Sequence, residues 1–299
     1  MKTATRQSFL ESISGITRQI DLRLMSNQFA VLVTMFALFL IAGIILFFPG
    51  HFSEHILAIP KVAVYVFLVW ALAREYDPDS VFTSYLAPVL SLTLLVLFPV
   101  SLSGVPLVFL LVLLLARIVS RSTGRKVTVF DSGAVLILTA MVTLALQNWI
   151  VPLFASISFL FDFLLSRSNR ISGVFSLLAA LMSLASIWVY GAALGEKSLP
   201  TPYVLGIFIS SVVFVLLSIG FNADVTSVTD SSNTRLDKYR MKAARFVLLW
   251  VAVTLSLQNN LSGLVGYSGL WILIIIIPLS AVVSVLNNYR EGEEPEKSG

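Results

Sequence analysis

No cysteine occurs in the chain. That excludes disulfides, thiolate catalysis and cysteine-ligated metal, and leaves the compartment open. Charge is scarce as well: Asp, Glu, Lys and Arg make up 12% of the residues, against about 25% in a soluble domain. With mean hydropathy +0.92 over 299 residues, there is too little polar surface to cover a water-soluble globule. Histidine is limited to His51 and His55. The net charge of +4 is small and sits at the edges of apolar runs, so nucleic-acid binding, which needs a basic face on a soluble surface, is not expected. A cleavable signal peptide is not read either, because residues 1–27 are polar and the first apolar run is long enough to span.

What is present is hydrophobic sequence, 57% of the chain, mostly in runs of about 17 to 22 residues, the length of a membrane-crossing helix. The runs are Gln28–Phe48, Ile56–Ala73, Val81–Phe98, Val105–Val119, Val127–Leu146, Ile150–Leu165, Gly173–Ala193, Tyr203–Gly220, Met241–Leu257 and Ser268–Leu286. The expected fold is an all-α integral membrane protein of about ten spans, since a helix satisfies its own backbone in lipid. Three parts are expected: an arm over residues 1–27, a spanning domain over 28–286 and a polar tail over 287–299.

Charge sets the expected orientation. With the N-terminus cytosolic, only Lys61 and Lys197 of the 20 basic residues fall outside, leaving 20 − 2 = 18 inside, as the positive-inside bias requires. Both ends are then cytosolic. Trp149, Trp188 and Trp271 fall near outer interfaces and Trp70 near an inner one, while Trp250 lies mid-span and is expected to pack between helices. In the arm, Phe9, Ile13, Ile16, Ile20 and Leu24 share one helical face, the pattern of an amphipathic helix lying on the membrane as an anchor or a partner-binding arm.

Two strings nearly coincide. Val142–Asn148 reads VTLALQN and Val253–Asn259 reads VTLSLQN, ending the fifth and ninth runs. A weaker match pairs Arg74 with Arg167 and Val81-Phe82 with Val174-Phe175. Either the small alphabet of apolar helices repeats itself, or runs three to six and seven to ten are parallel copies, as in many transporters. In the second case Gln147, Asn148, Gln258 and Asn259 form a pseudo-symmetric pair at the outer face. Their plainer role is to end helices and meet water.

His51-Phe-Ser-Glu54-His55 matches the H-x-x-E-H pattern of inverted zinc peptidases. It falls in a short outer loop after Pro49-Gly50, with Glu196 the only other acid on that side, so it reads as a wet loop; no metal and no cofactor is expected. The richer cluster is cytosolic: Arg74, Asp77, Asp79, Arg117, Arg121, Asp131, Asp162 and Arg167. Asp131 and Asp162 lie about one turn inside antiparallel neighbours, where acids are costly and face protein or water. The expectation is that they approach each other or a shared basic partner, either as a structural ion pair or as a ligand site.

The Asp-rich loop holding Asp77 and Asp79 resembles that of the intramembrane prenyltransferases related to ubiquinone synthesis, which bind magnesium diphosphate after their second and sixth spans. Their N-D-x-x-D-x-x-x-D spacing is absent here, and the second motif is reduced to Asp162, which supplies too few carboxylates for two magnesium ions. The stretch Arg117–Asp131, RIVSRSTGRKVTVFD, resembles a segment of uncharacterised polytopic bacterial inner-membrane proteins. That resemblance implies the bacterial cytoplasmic membrane and no particular activity.

Three functions follow as expectations. A transporter or flippase of a small or lipid-linked solute comes first. A non-catalytic membrane assembly protein, or an enzyme acting on a lipid-linked anion at the cytosolic face, are the alternatives. The partners expected are the bilayer and another membrane protein.

Overall fold

The computed structural model describes residues 14–16, 21–48, 55–166, 169–192, 200–220, 225–229 and 234–293, without the side chains of 55, 259–262, 284–285 and 287–293. Among the described residues ten α-helices follow one another: α1 (Met25–Phe47), α2 (Ala58–Tyr76), α3 (Val81–Leu97), α4 (Val105–Ser120), α5 (Val129–Leu146), α6 (Ile150–Leu165), α7 (Arg170–Tyr190), α8 (Thr201–Phe214), α9 (Lys238–Gly266) and α10 (Ser268–Glu293). A 3-10 turn at His55–Leu57 leads into α2, and a π-helical turn at Val215–Gly220 continues α8. Among the described residues there is no strand, only an isolated bridge between Val228 and Arg235.

Each expected apolar run coincides with one helix. Five stretches are long and apolar enough to cross a membrane: α1, α5, α7, α8 with its π-helical end, and α9 from Lys238 to Gln258. α3, α4, α6 and Ser268–Val283 of α10 are apolar but shorter, and α2 carries Lys61, Arg74 and Glu75. The arm's amphipathic helix lies largely outside the described residues; within them, Ile16 is buried in the protein.

Burial is inverted relative to a water-soluble bundle. The buried face of α7 is Ser172, Ser176, Ala179, Ser183 and Ser186, while Leu177, Leu181, Leu184 and Trp188 point outwards. Small residues let helices approach closely where the surroundings are as apolar as the side chains. Ser156 and Ser176 accordingly donate to each other's backbone carbonyls across α6 and α7, at 3.0 and 2.9 Å. α2 and α4 form the centre, with Tyr65, Leu72, Phe109 and Leu115 fully buried.

α6 packs on α7, α4 and α9; α3 packs on α2 and α10; and α4 packs on α2, α5, α6 and α9, while α8 with its π-helical end packs on α9 and α10.

Local chemistry explains most boundaries. Ser80 caps α3 by accepting from the Thr83 amide, and Asp237 caps α9 through Tyr239. Thr128 and Asp131 form a capping box at α5. The near-identical strings behave differently. α5 stops at Leu146, with Gln147 left-handed at φ +50°, whereas α9 continues past Gln258 to Gly266, beyond the expected end at Leu257. Pro152 follows the first string and lies in the first turn of α6, a position that proline tolerates.

The tryptophans divide likewise. Trp250 packs edge-on against Phe154 at 4.9 Å, between α9 and α6. Trp188 is exposed, whereas Trp70 and Trp271 turn inwards and are buried, Trp271 because its indole donates to Ser256 at 2.7 Å.

Candidate functional site

Of the acids and arginines singled out by sequence, those among the described residues gather at one end of the bundle, hereafter the charged end. Asp162, on the last turn of α6, is fully buried. It accepts two hydrogen bonds from Arg121, at 2.8 and 3.0 Å, and one from Arg240 at 2.9 Å. Ser172 and Asn169 complete its shell at 2.6 and 3.0 Å. The paired bonds from Arg121 are the strong, geometrically specific kind. Arg121 can reach Asp162 because it terminates α4 in the left-handed region at φ +51°. Arg240 also donates to the Val119 carbonyl and to Ser166. Asp162 thereby ties α4, α6, α7 and α9 together.

A second node lies at the end of α2. Asp77 accepts from Thr83 at 2.5 Å and from Ser280 at 2.6 Å, with Arg245 at 3.8 Å. Burial pushes its carboxyl above the ordinary value, against the opposing pull of Ser280, Thr83 and Arg245. Arg245 in turn donates to the carbonyls of Tyr76 and of Ser218 in the π-helical turn. Beside this node, Glu75 accepts from Ser120 at 2.7 Å and pairs with Arg117 at 3.5 Å.

Asp79 stands apart on the α2–α3 turn. The amides and hydroxyls of Thr226 and Ser227 all donate to its carboxylate, at 2.5 to 3.0 Å. Burial alone would raise its pKa, but those hydrogen bonds win and hold it below the usual range. Arg74 donates to Ser26. It also lines a cavity of about 320 Å³ with Pro78, Ser122, Thr226, Ser227, Val228 and Leu236.

Asp131 and Asp162 do not share a basic partner among the described residues. Asp131 instead holds the N-terminal arm: Ser14 donates to it at 2.5 Å and the Gly15 amide at 2.7 Å, alongside the Thr128 cap. Thr123 donates to the Gly15 carbonyl and Arg117 to that of Ile16. A Cβ on Gly15 would lie 2.3 Å from the Lys126 carbonyl, so only glycine fits there. Arg167, expected beside Asp162, lies outside the described residues, as do His51 and Glu54 and the side chains of His55 and Asn259.

Two neutral hydrogen-bonded contacts lie towards the opposite end. Asn148 donates to Gln258 at 2.5 Å, joining the two near-identical strings. Tyr65 lies 3.1 Å from the Ser268 hydroxyl and accepts from the Gly269 amide at 2.8 Å.

Arg240, Arg245 and Glu75 escaped the sequence reading. A signal was there: two arginines within the first turns of α9, where the helix dipole disfavours cations, imply carboxylates nearby. Nothing in the sequence said that those carboxylates would come from α6 and from the end of α2. Compared with models of protein families, with curated proteins and with solved structures, the chain matches none.

Proposed function

We propose that the chain is a polytopic protein of the bacterial cytoplasmic membrane, crossing about ten times with both termini in the cytosol, and that it moves a small or lipid-linked solute across the bilayer. The charged end is its cytosolic closure. The observation that carries this reading is the asymmetry of the two ends. One is latched by ion pairs that bridge α6 to α4 and α9, and the turn after α2 to α9. Towards the other, neutral hydrogen bonds join Asn148 to Gln258 and Tyr65 to Ser268. Latches of that kind, in a chain whose near-identical strings Val142–Asn148 and Val253–Asn259 suggest two parallel copies, suit halves that rock about a shared site. The π-helical end of α8, whose Ser218 carbonyl accepts from Arg245, adds a local break of the kind found at functional sites.

A second reading is favoured by a different observation. The carboxylates of the charged end have arginine or hydroxyl partners within the chain, and the centre is filled by Tyr65, Phe109, Phe154 and Phe159. A non-catalytic membrane assembly protein would have that character. Cysteines placed at Ser91 and Thr139, both fully buried within the bundle, separate the two. Transport predicts that each reacts with a membrane-impermeant maleimide from one side at a time, and that Arg240→Gln raises reaction from the cytosolic side. No reaction from either side, in the parent and in the variant, overturns transport in favour of assembly.

A further inference from the structure

Three residues of the N-terminal arm are docked on the turn between α4 and α5, largely through main-chain atoms. Asp131, in the first turn of α5, accepts from the Ser14 hydroxyl and from the Gly15 amide. Thr123, within the turn, donates to the Gly15 carbonyl. Arg117, in the last turn of α4, donates to the Ile16 carbonyl at 3.2 Å. The arm thus bridges both helices that the turn joins. What it covers is a strained turn: Arg121 is left-handed at φ +51° and Gly124 at φ +77°, and the Gly124 amide donates to the Arg121 carbonyl at 2.8 Å. A residue other than glycine keeps that conformation only where its surroundings impose it. It is this conformation that carries Arg121 to Asp162.

We propose that residues 14–16 form a releasable strap: docked, they hold the α4–α5 turn and with it Arg121 on Asp162; released, they free the turn and loosen the charged end. Release orphans no charge. Asp131 keeps the Thr128 amide and hydroxyl of the α5 cap at 3.0 and 2.9 Å, and Arg117 keeps its ion pair with Glu75. The released segment also has another place to go. Helical spacing puts Ile16 on one face with Phe9, Ile13, Ile20 and Leu24, the face that an interfacial helix turns to lipid. In the docked state residues 14–16 are not helical and Ile16 is buried in the core of the protein. The two uses of Ile16 exclude each other. The strap goes beyond the transport reading and does not depend on it, since it serves an assembly protein equally.

Gly15→Ala in the full chain tests the strap, because the added Cβ would lie 2.3 Å from the Lys126 carbonyl and cannot dock. Parent and variant are compared in phosphatidylcholine nanodiscs by hydrogen exchange read by mass spectrometry. Protection of the amides of residues 122–127 should fall about tenfold or more in Gly15→Ala, the worth of one hydrogen bond to a charged group, while protection across α9 and α10 is unchanged. Melting temperatures then read the link to Asp162. Asp162→Asn should lower the melting temperature by less in Gly15→Ala than in the parent, since coupled sites are not additive. Three results overturn the proposal. The first is unchanged protection of the turn. The second is an equal fall in the turn and in α9 and α10, which makes the arm an integral part of the fold. The third is the same melting shift for Asp162→Asn with and without Gly15→Ala.

Discussion

The two ends of this bundle solve one problem with opposite chemistry. At the charged end, Asp162 is buried yet fully partnered by Arg121, Arg240, Ser172 and Asn169. At the other end, a glycine lets helices approach closely. A Cβ on Gly269 would lie 2.6 Å from Val69 and 2.9 Å from Phe109. Ion pairs require that every member be present, because a lone buried charge is far worse than none. Close packing requires only that a side chain be missing. The charged end is therefore the fragile one, and its failures are those that a compensating substitution can repair.

The largest effect is expected at Asp162. Asp162→Asn takes the ion-pair partner from the buried Arg240 and the part-buried Arg121, a loss of about 3–5 kcal/mol. Thermal unfolding in detergent measures it, and Arg121→Gln added to Asp162→Asn should restore part of the loss. Gly269→Ala follows, at about 1–3 kcal/mol from overpacking, and here no charge substitution compensates. If Gly269→Ala proves as costly as Asp162→Asn, the contrast between the ends fails. Asn148→Ala should cost about 1–2 kcal/mol, the worth of its two neutral hydrogen bonds, to Gln258 and from the Ile150 amide, read in the same unfolding experiment.

The smallest effect concerns Asp79 and acidity. Its carboxyl is held below the ordinary value, so the clasp on Thr226 and Ser227 stabilises above the unfolded-state pKa of about 4 and is lost as pH falls through the lowered folded value. Asp77 has the opposite sign: its raised pKa favours the folded state below the unfolded value, and that contribution is lost as pH rises through the folded one. Acid should therefore release the loop before α9 without loosening the end of α2. The protection of the Thr226 and Ser227 amides against exchange, relative to the intrinsic rate at each pH, should fall from neutral to acidic pH while that of Thr83 does not. An equal fall at both sites would show that the loop and the bundle open as one unit.

The helices were legible because burial in an apolar surrounding writes itself as long apolar runs. α3, α4, α6 and α10 begin on the residues expected, Val81, Val105, Ile150 and Ser268. The acids Asp131 and Asp162 were legible as buried polar groups for the same reason. Their partners were not, because pairing is a property of the assembled bundle. Arg240 reaches Asp162 across 78 residues and Ser14 reaches Asp131 across 117. The end of α9 was missed because Gln258 and Asn259 read as a helix stop, as their counterparts Gln147 and Asn148 are. α5 stops where Gln147 turns left-handed, a conformation that Gln258 does not adopt.

The central claim, that the charged end faces the cytosol in a bundle crossing the membrane about ten times, can be tested without removing any native thiol, since the chain has none. Single cysteines are placed at Lys126 beside the charged end, at Lys197 between α7 and α8, and at Gly299, and intact cells are treated with a membrane-impermeant maleimide. The account predicts labelling at 197 in intact cells, and at 126 and 299 only after the membrane is opened. Labelling of 126 and 299 in intact cells, with 197 protected, would contradict it.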